Sequence, residues 1–569
     1  MLIKKEFKYD ILKKCGGTTM NKSIFRNCLL VIILFLIGTY GFPQIRETGI
    51  IQGNVTDTQG VPLPGATVIV ASPNLIGGHR SVVADKDGFY QFRSLPIGAY
   101  KVTVSMPSFD TLVKSGLAIH ANLTSTVDFK MPQTAMKQEV EVTAELSKID
   151  IKSNATGTIV MTDELIMTIP VSKRWGGLMD LATGMDLSSG GTGSLSQYQA
   201  SAYGMGVQGE SNAYMFDGIN MKSPNWGWLR MSPDFNIIKE AAIQGLGLPA
   251  EFGQYTGAVL TAVTKSGSNK LSTFNEFRYN GRRWNSQNLG DYSTERFYVP
   301  ADKEREFEAG SYFDIGMQLG GKIIYDKFWF FLSGEYDDSK LYPLGTTVSQ
   351  KIMNQKAFLK LTYQINPSNK LNASASYDNQ KMGNIAAGPS FSPEADGNKI
   401  EPGWLFSLSW TSFLSPTALL DFKLAYNEKQ YRTIPKAGYD VPSRVDLLTG
   451  ITYDNLIKWQ DFPDETFHSN AQLAYYVPKF LVGSHDLKIG TELEYSSPSI
   501  NIGFSGNAMY QYLGDQPFQM RYNEVRISNH NFRTFVAFAQ DTWTVSKRLT
   551  FNLGLRYDNY WYKSSPDRG

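Results

Sequence analysis

From Leu271 onward the chain alternates apolar and polar residues in run after run. Successive side chains of a strand point to opposite faces, so each run is a strand with one apolar and one polar face. In "RLTFNLGLRYDNY" Leu549, Phe551, Leu553, Leu555 and Tyr557 lie on one face, and Thr550, Asn552, Gly554, Arg556 and Asp558 on the other. In "GWLFSLSW" Trp404, Phe406, Leu408 and Trp410 oppose Ser407 and Ser409. In "HDLKIGTELEY" Leu487, Ile489, Leu493 and Tyr495 oppose Lys488, Gly490, Glu492 and Glu494. A soluble sandwich alternates as well, because one face packs on a core. Two details favour a transmembrane barrel. Aromatic residues such as Tyr336, Tyr495 and Tyr557 stand near strand ends, where a membrane-interface girdle belongs, and the charges on the polar faces suit a wet lumen. About eleven such strands follow Leu271, against the roughly 22 of plugged transport barrels.

A barrel of this kind requires export. After Lys22 and Arg26 comes the apolar stretch Leu29–Ile37, too short to span a bilayer and suited to a secretory signal. Residues 1–43 are therefore read as a signal peptide, with Met20 its natural start, residues 1–19 an over-extended start, and cleavage near Pro43–Gln44. Both cysteines, Cys15 and Cys28, fall inside it, which excludes disulfides and thiolate metal sites from the mature chain. Its removal leaves 48 basic against 51 acidic side chains, a net charge of −3. That balance carries no nucleic-acid footprint. With 13% aromatic residues and 51 glycines, the composition is that of a mainly β protein.

Two further regions precede the barrel. From Thr48 to Pro132, short alternating runs are separated by turn residues at Asp57–Gly60, Pro62–Gly65, Asp87-Gly88 and Pro96–Gly98. This spacing predicts a small β-sandwich. Asp85-Lys-Asp87-Gly88 opens like a calcium loop but lacks the later ligands, so it is read as a β-turn. From Lys137 to Ser268 the pattern is mixed. "KQEVEVTAE" alternates between two globular patterns and suits a linker, an edge strand or a strand offered to a partner. "TDELIMTIP" reads as a short helix with a Thr162 N-cap that stops at Pro170. Gly204, Gly206 and Gly209 spell G-x-G-x-x-G, but a strand-like "AYMFDGIN" follows where a dinucleotide site needs a helix. No H-E-x-x-H pair is present and the five histidines are scattered, so neither catalytic residues nor a metal or cofactor are expected.

These regions carry family resemblances. Gly53-x-Val55-Thr56-Asp57, Pro62-Leu63-Pro64-Gly65-Ala66-x-Val68, Asp87-Gly88-x-Tyr90 and Leu95-Pro96-x-Gly98-x-Tyr100 resemble the carboxypeptidase-regulatory-like domain. In that family the domain often stands, without enzymatic activity, ahead of a TonB-dependent receptor. The strand ending in Asp217-Gly218 and the later Gly253-x-x-x-Gly257 followed by "AVLTAVTKSG" resemble the plug of such receptors. The chain departs from the plug pattern at Gln208-Gly209, where Arg-Gly is usual. Glu139, Val140, Glu141, Val142, Thr143 and Ala144 resemble a TonB box in composition and place.

The resemblance, to receptors of the Oar-like or SusC-like type, implies a mainly β fold. A β-sandwich occupies 48–132, a TonB-box segment 137–145, a mixed α/β plug 146–268, and from 271 to 569 runs the N-terminal half of a large antiparallel transmembrane β-barrel. It implies import across the outer membrane of a Gram-negative bacterium, driven by TonB and its inner-membrane complex, with the sandwich periplasmic and no bond made or broken. Gly209, Asp217, Gly218, Gly253 and Gly257 are expected to hold the plug's shape, and Trp226 and Trp228 are candidates to face the ligand. Outer-membrane lipids surround the barrel, a SusD-like surface lipoprotein is a partner the resemblance allows, and glycan, peptide and metal chelate stay open as ligands. The chain stops at "YKSSPDRG" after a strand, and an open sheet edge in lipid is costly, so it is read as the N-terminal portion of a longer product. The competing reading is a plugged barrel that serves adhesion or envelope scaffolding and transports nothing.

Overall fold

The computed structural model describes residues 48–565 apart from 73–74, 76–77, 121–123, 134–138, 144–147, 151–158, 169–177, 179–184, 187–200, 203–211, 225–226, 228, 233, 246, 282–309, 343–347, 389, 416, 524 and 547–548. The signal segment, Ala144, Gly209, Trp226, Trp228 and the G-x-G-x-x-G triplet lie outside the described residues.

The first region folds as two facing sheets. Strands His79–Val83, Thr67–Ala71, Gly98–Ser105, Thr111–Ile119 and Glu139–Thr143 form one sheet, in that order. The other is built around Thr48–Asp57, which pairs with Phe89–Pro96 antiparallel and with Thr124–Thr126 and Phe129–Met131 parallel. Alternation dictates the packing: along Gly98–Ser105, Tyr100, Val102 and Val104 point inward and meet Ile51, Val55 and Phe129 in one apolar core. Gly53 is required because a Cβ there would fall 1.9 Å from the Val127 carbonyl oxygen. Asp85 accepts the N–H groups of Asp87 and Phe89, both at 2.9 Å, and Gly88 has φ 71°, so this segment is the expected turn.

The second region, the expected plug, centres on a five-stranded sheet in the order Ile159–Thr162, Ile238–Gln244, Val259–Thr264, Ala213–Phe216, Ile219–Asn220. Every residue of Val259–Thr264 is buried, as a central strand covered on both faces requires. Helix Asp163–Thr168 follows the first strand, with the Thr162 hydroxyl accepting from Leu165 N–H at 3.4 Å in the expected capping position.

The third region is a twelve-stranded antiparallel sheet. Eleven long strands run in sequence order from Ser272–Asn280 to Leu549–Ser564, and short Ser499–Phe504 adds beside Lys458–Val477 and Arg526–Ser546. Connections alternate in length: brief turns such as 366–369 and 415–418 lie at one rim, and the longer stretches 383–397, 435–458 and 496–526 at the other. The faces are inverted relative to a soluble sandwich. Leu553, Leu555 and Tyr557 are exposed at 54%, 81% and 57%, while Glu335, Asp337, Glu492 and Glu494 on inward faces are buried. An apolar outside around a polar inside is what a lipid-facing wall demands. Among the described residues no helix is long and apolar enough to cross a membrane, which says nothing of strands.

Candidate functional site

The inward faces of the wall strands meet the plug along a seam of buried polar contacts. The sharpest grows from the Asp217-Gly218 turn. Asp217 and Gly218 have φ 46° and 75°, the double positive-φ turn that reverses Ala213–Phe216 into Ile219–Asn220 in two residues. Gly218 is also a close approach, since a Cβ would fall 2.3 Å from Lys423 Nζ.

The turn aims Asp217 at the wall. Its carboxylate accepts from Thr264 N–H at 2.8 Å, from the Thr264 hydroxyl at 2.6 Å and from Lys360 Nζ at 3.1 Å. Lys423 Nζ donates to its carbonyl at 2.6 Å. Burial would push the Asp217 carboxyl up, but the Lys360 ammonium and the Thr264 donors outweigh it and hold it below the usual carboxylate value. Beside it lies a small polar cleft lined by Asn372, Ser374, Ser407 and Ser409 of the wall.

Gly253 serves a second contact. The Arg556 guanidinium packs so closely that a Cβ on Gly253 would come within 2.2 Å of Nε. That guanidinium donates to the Glu251 carbonyl at 2.9 Å and pairs with Asp558 at 2.8 Å. Lys488 pairs with the Glu251 carboxylate at 2.5 Å. Gly257 is buried at the approach to Val259–Thr264. A third contact centres on Arg230, which reaches Glu494 at 3.4 Å and Asp464 at 3.9 Å from its 4%-exposed position. Nearby, Asp378 accepts from Ser232 N–H at 3.3 Å and pairs with Lys429 at 3.0 Å.

The sandwich is tied to both other regions. Arg93 pairs with Asp486 and lies over the Tyr476 ring, 3.9 Å from its centroid, and Arg80 lies 4.0 Å over Phe413. Phe413, Tyr476 and Asp486 all flank short turns, so the sandwich docks at the short-turn rim. His120 meets the plug at Glu240, 2.8 Å away. The segment expected to contact a partner, Glu139–Thr143, is a strand paired parallel with Thr111–Ile119, from Thr111↔Glu139 to Ser115↔Thr143. It stands at the edge of its sheet, with no strand on its other side among the described residues.

Sequence reading located Asp217, Gly218 and Gly253 but missed Lys360, Lys423, Arg230, Asp378 and Arg556. Their signal was present in part: Lys360 and Lys423 sit at inward positions of alternating strands, where a charge implies a lumen partner. Which plug group they meet, more than 140 residues away in the chain, is not written in any local pattern.

The chain matches the carboxypeptidase regulatory-like domain over residues 50–132 and an outer membrane beta barrel domain over 343–567. It is 22% identical over 637 residues to the TonB-dependent transporter Oar of Myxococcus xanthus, covering 91% of this chain and 58% of that protein. The chain thus spans little more than half the length of that relative. Similar solved structures include the outer membrane transporter YddB from Escherichia coli, with a TM-score of 0.56 and 16% identity over 71% of this chain and 56% of that one. The ferric citrate transporter FecA in its unliganded form gives 0.54 at 12% identity, over 74% and 58%. The siderophore receptor PirA from Acinetobacter baumannii gives 0.50 at 15%, over 71% and 57%.

Proposed function

We propose that this chain, an outer-membrane β-barrel protein with the TonB-dependent receptor fold and a homologue of an Oar-type transporter, is an energised importer whose plug is displaced by pulling on residues 139–144. The sandwich then lies on the periplasmic side, because short turns face the periplasm in barrels of this class. Glycan, peptide and metal chelate remain the ligand classes, and a surface lipoprotein partner is compatible with the long connections at the opposite rim. In this reading the work is mechanical, with no bond made or broken.

The observation that carries this reading is the position of strand Glu139–Thr143. It sits in sequence between the sandwich and the plug, one backbone edge bonded to Thr111–Ile119 and the other lacking a strand partner among the described residues. An unpaired edge recruits an incoming strand through main-chain hydrogen bonds. The seam supports the reading too. Buried ion pairs hold a plug in register at a small net gain, because desolvation offsets most of their attraction. A pull opposes this specific seat together with the apolar contact that Phe331, Phe358, Leu405 and Ala425 make with the plug core.

Val142→Cys, the one cysteine that residues 44–569 would then carry, should crosslink to a cysteine-bearing periplasmic domain of TonB. Deleting 139–144 should abolish ligand uptake and leave surface binding intact. Uptake that survives the deletion overturns energised import and leaves the adhesion or scaffolding role.

A further inference from the structure

On the inward side of two neighbouring wall strands, three side chains converge. His468 of Lys458–Val477 lies directly across from Glu494 of Ser484–Ser496, with Glu492 one inward position along. One ligating atom from each lies within 4.8 Å of the others, and the residues are 2%, 5% and 7% exposed in the order His468, Glu494, Glu492. His468 Nε2 and Glu492 Oε1 are 2.9 Å apart. Glu494 has one oxygen 3.4 Å from Arg230. Its other oxygen, Oε2, and the remaining imidazole nitrogen, His468 Nδ1, have no hydrogen-bond partner.

A buried carboxylate oxygen and a buried imidazole nitrogen without partners are both costly. The local charge compounds this. Glu494 and nearby Asp464 share the Arg230 cation, while Arg556, the cation that faces Glu492, is engaged with Asp558 and the plug backbone. The spot is thus short of positive charge and rich in lone pairs.

We propose that His468, Glu492 and Glu494 form a binding site for a divalent transition cation of the zinc type. One imidazole with two carboxylates is a donor set for such a borderline cation, and three protein ligands leave a fourth position for water or a ligand oxygen. Two ligands about 2.0–2.1 Å from one tetrahedral metal stand roughly 3.3 Å apart. The His468–Glu492 pair is within a few tenths of that spacing, so metal replaces the shared proton with little movement, and binding releases that proton. The orphaned Glu494 oxygen supplies the third bond. Because Arg230 holds the other Glu494 oxygen, its cation lies close to the bound metal and repels it, and occupancy loosens this point of the seam. The site stands whether or not the chain transports anything.

The test uses the full chain, purified from outer membranes in detergent, stripped with a chelator and titrated with zinc alone against a chromophoric competitor. One equivalent should bind, with cobalt substitution giving a visible spectrum of a histidine–carboxylate site. His468→Ala should remove that equivalent. Glu494→Gln should weaken it on the order of 10–100-fold, Arg230→Gln should tighten it, and His79→Ala at an exposed position should leave it unchanged. Heat-modifiable mobility on a gel certifies that each barrel is folded; if His468→Ala fails that check, His468→Gln takes its place. No stoichiometric zinc in the wild type, or zinc retained equally by the folded His468 and Glu494 variants, overturns the site.

Discussion

The sandwich core and the plug–wall seam are both buried, and they differ in material: the seam adds buried ion pairs to an apolar contact in which Phe331, Phe358, Leu405 and Ala425 of the wall join the plug's core. Between the sandwich sheets lies one large apolar cluster, from Ile51 and Val55 to Tyr100 and Phe129, each large side chain contributing about 1.5–3 kcal/mol by leaving water. Along the seam, Asp217 meets Lys360, Arg230 meets Glu494, Glu251 meets Lys488 and Asp378 accepts from the Ser232 N–H. Pairs of that kind come close to breaking even once desolvation is counted, yet leave an expensive orphan if one member is lost. An apolar core holds its parts together in any register that fills space. The polar pairs of the seam enforce one register and add little net hold of their own.

The contrast breaks most visibly in the sandwich. Tyr100→Ala empties a fully buried aromatic site and should cost about 3–5 kcal/mol. Limited proteolysis of the full chain should then cut within 48–132 while the barrel keeps its folded gel mobility. Loss of the barrel as well would show that the two regions fold as one unit.

Asp217→Ala tests the seam. It strands the Lys360 ammonium at a buried position and should cost about 3–5 kcal/mol of plug seating, read as urea-dependent protease access to the plug. Changing Asp217→Leu and Lys360→Met together should recover most of that loss, since an apolar pair of similar bulk replaces a buried ion pair at little net cost. The sharper expectation concerns motion: the apolar double variant should seat its plug as firmly as the wild type but release it less readily. Full additivity of the two substitutions would mean the pair does not act as a unit.

How far the sequence foretold these contrasts depends on whether the information was local. Period-two alternation identified the wall and both its faces, because the pleat forces it: Leu555 outward and Glu494 inward are readable from spacing alone. Asp217-Gly218 announced a tight turn because only a positive-φ pair closes a two-residue hairpin. The turn's second duty, seating Asp217 against Lys360 and Lys423, depends on strands far along the chain and left no local trace. Glu139–Thr143 read by itself as linker, edge strand or partner segment, and only its place between two recognisable regions favoured the partner segment. Its parallel pairing with Thr111–Ile119 follows from tertiary placement, which alternation cannot specify.

Acid should separate the two materials with the smallest effect of the set. Asp217 is held below its ordinary carboxylate value in the folded state, so its contribution is fully present above the unfolded value of about 3.9 and fades as pH falls through the folded one. Between pH 5 and pH 8 this group should therefore leave plug seating unchanged. Below about pH 4 the plug should become protease-accessible before the sandwich, whose core cluster is made of apolar side chains. Asp217→Asn cannot be protonated further, so it should start weaker and lose that part of the acid response. An acid profile identical in wild type and Asp217→Asn would place the sensitivity elsewhere in the seam and remove Asp217 as its principal latch.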